Sequence, residues 1–202
     1  MNYRNLRRDE LMGRHFPVLC LLAGLFLLGA VAGSIFISRF PDSAATYVNS
    51  YAERLMSASG AVLFKSVFQQ GFIFLALIFF CGFGKAGTLV IPAVFLVRGF
   101  TVAFNVTAFI QVYGAQGYLP AIITEFLSSF VITACLFFLS LQSFSLSAAW
   151  SGRVGRTTGI RSSMDPAYYL AAALCLTFIL VASLLYAYLM PPLARSVLLI
   201  IS

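Results

Sequence analysis

The chain has 202 residues, of which 61% are hydrophobic and 9% charged. Soluble domains run nearer roughly 45–50% apolar and about 25% charged, so a water-soluble globule is excluded. Lipid must be the solvent, and there ~20 apolar residues make one helical crossing. The net charge of +7, from 13 Lys/Arg against 6 Asp/Glu, then sets orientation and is weak evidence for nucleic-acid binding.

One His and six carboxylates form no recognisable constellation, so no catalytic residue, cofactor or enzyme activity is expected. Cys20, Cys81, Cys135 and Cys175 lie far apart in apolar stretches without C-x-x-C spacing. They read as buried structural thiols and not as metal ligands.

Residues 1–15 form a polar tail with Arg4, Arg7, Arg8 and Arg14, and the apolar run 16–38 follows. The run is long for a signal sequence and no A-x-A site closes it, so it reads as a retained first transmembrane helix. Within it, Gly29-x-x-x-Gly33 places small residues on one face. Such a face lets another helix backbone approach closely, although Gly is also simply common in membrane helices.

Residues 39–65 form a long outer loop. Asp42-Ser43 is a plausible N-cap for a helix over 42–56, where Ala44, Tyr47, Val48, Tyr51 and Leu55 recur at helical spacing opposite Asn49, Glu53 and Arg54. This amphipathic helix is expected to rest on lipid, on the protein's own helices or on a partner through Tyr47, Val48, Tyr51 and Leu55.

From Phe64 to Val112 the chain is apolar for longer than one crossing needs. Gly82-Phe83-Gly84-Lys85-Ala86-Gly87 divides it into spans at 66–83 and 87–112. Lys85 does not belong to a phosphate loop, because Ala86 follows it and no Gly stands at position 79. A short connection from Tyr113 to Tyr118 leads to a fourth span at 119–142. A basic Gly-rich loop at 143–166 follows, with Arg153, Arg156 and Arg161. The fifth span, 167–190, is expected to stop at Pro191-Pro192.

The predicted fold is therefore a single all-α integral membrane domain with five transmembrane helices and one extracytoplasmic amphipathic helix. With the N-terminus inside, the inner segments hold Arg4, Arg7, Arg8, Arg14, Lys85, Arg153, Arg156 and Arg161. The outer segments hold Arg39, Arg54, Lys65 and Arg195. The excess on the first side predicts N-in, C-out.

Arg98 lies deep in the third span, where a charge costs about 2.5–3.5 kcal/mol even on the lenient insertion scale. Glu125 is the only carboxylate in any span and its natural partner. At ~1.5 Å per residue the two differ by roughly 10 Å in depth, a gap that snorkelling or a helix break could close. The pair reads either as a structural ion pair or as part of a polar cavity or ion path. Arg98, Thr101 and Asn105 share one helix face, and Thr107 lies on the same helix. Interhelical hydrogen bonding accounts for these without transport. His15 reads as an interfacial side chain.

LFLLGAVAGS in the first span, LFKSVFQQGFIFLALIFFCGFG with its Gly-Lys turn, and IPAVFLVRGFTVAFNVTAFI follow one another. The small loop with Gly114 and Gly117 and the Glu-bearing LPAIITEFLSSFVI complete the series, over about residues 16–142. In that order they resemble the stage II sporulation protein M family. A Gly turn, a Pro and a basic-Gly-Phe step recur there, here Gly82, Pro92 and Arg98-Gly99-Phe100. The resemblance implies a non-enzymatic scaffold in the inner membrane of a spore-forming bacterium. It would anchor the peptidoglycan-degrading stage II sporulation proteins D and P at the septal membrane during engulfment of the forespore. The loop 143–166 is longer and more basic than that pattern. A competing reading is a small transporter or channel subunit using Arg98, Glu125 and Asn105. No nucleic-acid partner is expected, and homo-oligomer formation stays open.

Overall fold

A computed structural model describes residues 3–57, 59–84, 86–125, 129–150 and 166–201. Among these the chain is all-helical: α1 (Tyr3–Ser38), α2 (Pro41–Ser57), α3 (Gly60–Gly82) and α4 (Gly87–Tyr113), then a 3₁₀ turn (Gly114–Gly117), α5 (Tyr118–Glu125), α6 (Val131–Trp150) and α7 (Pro166–Ile201). Four stretches are long and apolar enough to cross a membrane, Phe16–Ser38, Gly60–Gly82, Gly87–Tyr113 and Tyr168–Pro192. Their outer surfaces are apolar too: Phe16, Leu27, Phe80, Leu89 and Leu170 stand 63–80% exposed. Such a surface is an aggregation hazard in water and is stable against lipid tails.

Several boundaries differ from the sequence expectation. Pro41 opens α2, so Asp42 lies in the first turn and does not cap it; a fixed φ suits Pro to that first position. The second span starts at Gly60, with Ser59 in extended geometry at its N-cap, which places Lys65 inside α3. The predicted fourth span, 119–142, is not one uniform helix. α5 ends at Glu125, Ser129 and Phe130 are π-helical, and α6 begins at Val131. The uninterrupted apolar stretch there is Val131–Phe144. α7 continues through Pro191 and Pro192 to Ile201. Each Pro removes one i−4 hydrogen bond, and a membrane helix carries such a loss where neighbouring elements accommodate the freed groups. α6 takes in residues 143–150 of the expected basic loop. Lys85, Arg153, Arg156 and Arg161 lie outside the described residues.

α1 and α4 form the most extensive helix pair, and glycine is the reason. A Cβ on Gly29 would run into the backbone of Leu96, one on Gly33 into that of Phe100, and one on Gly99 into that of Phe26. Small residues on both partners bring the backbones together, which in lipid replaces the missing hydrophobic driving force with close van der Waals contact. Thr107 adds a hydrogen bond from Oγ1 to Ser34 Oγ at 3.1 Å across the same pair. The remaining core gathers around Leu22, Ile78, Phe95, Leu136 and Ile179, all essentially inaccessible.

At the end holding the α3–α4 turn, Ser147 donates to Gly84 O at 2.7 Å, and Tyr168 donates to Phe79 O at 3.0 Å while meeting Ser143 at 2.9 Å. At the opposite end α2 lies across the bundle. Gly114 (φ +58°) makes the tight connection into α5 there, in a left-handed geometry that suits Gly.

Candidate functional site

α2 does not present its apolar face outward. Val48 and Ala44 are fully buried against Ile37, Ala108, Phe109 and Ala121. Tyr47 packs edge-on against Phe104 at 5.3 Å, and Tyr51 edge-on against Phe109 at 5.7 Å. Of the surfaces expected for this face, lipid, a partner or the protein's own helices, the fold supplies the last, in α1, α4 and α5. An amphipathic face gains more from a continuous apolar floor than from a wet interface. The Leu55 side chain lies outside the described residues.

The two phenols on this face carry the polar chemistry. Tyr47 donates to Asn105 Oδ1 at 2.7 Å. Asn105 Nδ2 donates to Glu125 Oε1 at 2.6 Å, and Ser129 Oγ donates to Glu125 Oε2 at 2.5 Å. Tyr51 meets the Tyr186 hydroxyl of α7 at 2.8 Å. A single line of hydrogen bonds therefore runs from α2 through α4 and α5 to the π-helical turn. Burial pushes the Tyr47 hydroxyl above its ordinary value, with Glu125 adding to the rise. Burial raises Tyr51 further, with Tyr186 beside it. Both phenols consequently stay protonated and able to donate.

These groups border a cavity of about 760 Å³ enclosed by α2, α3, α4, α5 and α7. Its walls also carry Arg54, Gln70 and Thr101. The size is that of a small-molecule site, roughly 300–1,000 Å³, but with many more polar groups than usual. Inside a membrane bundle, polar walls are costly unless they meet one another, water or a ligand. The π-helical turn at Ser129 and Phe130 belongs to the same logic. Irregular backbone at membrane depth is tolerated where it lines a cavity, and Glu125 and Ser129 both line this one.

Arg98 is elsewhere. It is 1% exposed, its guanidinium stands 5.8 Å from the centroid of the Phe74 ring, and Nε and Nη2 are buried without a hydrogen-bond partner. No ion pair joins Arg98 to Glu125 among the described residues, because the carboxylate is taken up by Asn105 and Ser129. Arg98 precedes Thr101 by three residues and Phe74 follows Gln70 by four. The guanidinium–ring contact thus lies about one helical turn below two cavity-lining residues.

Sequence reading therefore singled out Glu125, Asn105 and Thr101, which the fold brings to the cavity. Arg98 falls beneath it, and Gly29 and Gly33 serve the α1–α4 contact. It missed Ser129, Gln70 and Tyr186. Glu125 and Ser129, four residues apart and so on one helix face, were the available signal. No group of three or more metal-ligating side chains occurs among the described residues. No protein-family model, curated protein or solved structure matches this chain.

Proposed function

We propose that the chain is a non-enzymatic five-span protein of a bacterial cell membrane, oriented N-in and C-out, that binds a polar solute or headgroup in the cavity beneath α2. In this reading α5, the π-helical turn and α6 together make the fourth crossing, and the cavity opens toward the outer side. The observation that carries it is the line Tyr47–Asn105–Glu125–Ser129, which aligns polar side chains from four segments along one cavity. Binding there serves either permeation or ligand recognition, the class in which intramembrane polar groups are most often retained.

Cys substitution in a Cys-free background tests both parts. Cys at Ser50 should react with an impermeant reagent in intact cells while Cys at Ser151 does not; the reverse overturns the orientation. Cys at Gln70 and at Thr101 should react with a small water-soluble thiol reagent, and protection of both would remove the hydrated cavity. In reconstituted vesicles, solute flux or binding should be lost in Glu125→Gln and Asn105→Leu.

A second reading, the engulfment scaffold implied by the family resemblance, draws on the outward face of α2, where Asn49 and Glu53 are exposed. Asn49→Arg with Glu53→Arg should then weaken recovery of cell-wall hydrolases, including stage II sporulation proteins D and P. The cavity variants should leave that recovery unchanged.

A further inference from the structure

Glu125 and Ser129 have two neighbourhoods. On one side they line the polar cavity. On the other they border a second space of about 530 Å³ with apolar walls, among them Phe26, Val102, Val106, Ala134 and Phe137. Thr101 and Asn105 face the first space while Val102 and Val106 face the second, so α4 separates a polar from an apolar compartment. The two compartments meet at Glu125 and Ser129, which line both. A polar chamber joined to an apolar groove is the shape of an amphiphile.

The charges specify the polar end. Among the described residues Glu125 is the one carboxylate in the cavity wall, and Arg54 stands in the same wall on α2. Beneath the floor waits Arg98, whose Nε and Nη2 are unsatisfied. A buried cation without an acceptor is costly, and an Arg side chain is long enough to swing through the one turn that separates it from Thr101. With Arg98 swung up from beneath the floor, two guanidiniums would face one carboxylate, a balance that favours an anion.

We propose that the cavity is the headgroup site of an anionic membrane lipid, with one hydrocarbon chain lying in the groove between α1, α4 and α6. The inference rests on the cavity reading and names its ligand class. Arg54 and Arg98 would neutralise a headgroup phosphate, and the hydrogen-bonded line through Asn105 and Glu125 would receive its hydroxyls. Carboxylate acceptors and guanidinium donors together suit a phosphate that also carries hydroxyl groups.

The test uses the full chain in detergent, with phosphatidylglycerol, phosphatidylcholine and glycerol 3-phosphate as probes and bound lipid counted by native mass spectrometry. Phosphatidylglycerol should be retained over phosphatidylcholine by about tenfold, and Arg54→Gln should cut that preference by a similar factor. Ala134→Trp, at an exposed position on the groove, should abolish lipid retention. A series of short- and long-chained phosphatidylglycerols gives the same reading on the unaltered protein, with retention rising with chain length. Equal retention of the two lipids, or retention indifferent to both chain length and Ala134→Trp, overturns the proposal. Glycerol 3-phosphate bound as tightly as the lipid, and lost in Asn105→Leu, overturns it while leaving the cavity reading standing. Binding of none of the probes overturns the proposal, and protection of Cys at Gln70 and at Thr101 in the same preparation overturns the cavity reading with it.

Discussion

Asn105 on α4 donates to Glu125 on α5 at 2.6 Å while accepting from Tyr47 on α2 at 2.7 Å. One amide thus joins three helices, and it occupies the carboxylate that Arg98 was expected to claim. An amide suits this place because it offers a donor and an acceptor on one planar group.

Asn105→Leu should therefore leave both Glu125 and Tyr47 short of a partner. The expected loss of stability is about 1–3 kcal/mol, against about 0.5–1.5 kcal/mol for Tyr47→Phe, which removes one bond and leaves the carboxylate satisfied. Thermal unfolding in detergent, followed by loss of monodisperse protein, ranks the two. A Tyr47→Phe effect as large as that of Asn105→Leu would contradict the central role of the amide.

In detergent free of anionic lipid, Arg98→Met should raise stability by about 1–3 kcal/mol, because it removes a buried guanidinium with unmade hydrogen bonds and keeps the apolar stem. The gain should be larger in a Glu125→Gln background, where no opposite charge remains, with a coupling above about 0.5 kcal/mol. Destabilisation by Arg98→Met would mean that the guanidinium is paired in the membrane. Strict additivity would mean that the two charges do not feel each other.

Gly33→Ile should separate α1 from α4, since even a Cβ there meets the Phe100 backbone. Gly24→Ala is the control, with nothing within 4 Å of its added methyl, and it should stay within about 0.5 kcal/mol of the parent. A disulfide trapped between Cys residues engineered along α1 and α4 reports the separation directly. Equal trapping in Gly33→Ile would show that glycine contact does not hold the pair.

The docking of α2 should fail in alkali. Tyr47 and Tyr51 have docked pKa values raised above the ordinary 10.0. The docked state therefore binds the phenolic protons more tightly than the undocked one. The resulting stabilisation is complete below pH 10 and is lost as the pH climbs from there toward the docked values. Labelling of Cys at buried Val48, relative to Cys at exposed Asn49, should rise above pH 10. In a Tyr47→Phe, Tyr51→Phe protein the rise should disappear.

How far the sequence reached depended on the range of the interaction concerned. The membrane class followed from composition, and the helix over 42–56 from the spacing of Tyr47, Val48 and Tyr51, because both are local properties of the chain. The boundaries at Gly60 and beyond Pro191-Pro192 were misjudged. Local punctuation marks where a helix can end, and packing decides whether it does.

Charge and apolarity along the chain determined that these helices belong in lipid and that Arg98, Asn105 and Glu125 would be buried exceptions. Only the tertiary structure decided how those exceptions combine. Hydrophobic pattern fixes which face turns inward but says nothing of the axial offset between helices, and an offset of one or two turns exchanges one hydrogen-bond partner for another. The close α1–α4 contact through Gly29, Gly33 and Gly99 fixes the axial position of α4 against its neighbour here. Glu125 consequently meets Asn105 and Ser129 at the wall of a cavity, and Arg98 is left one turn below, against Phe74.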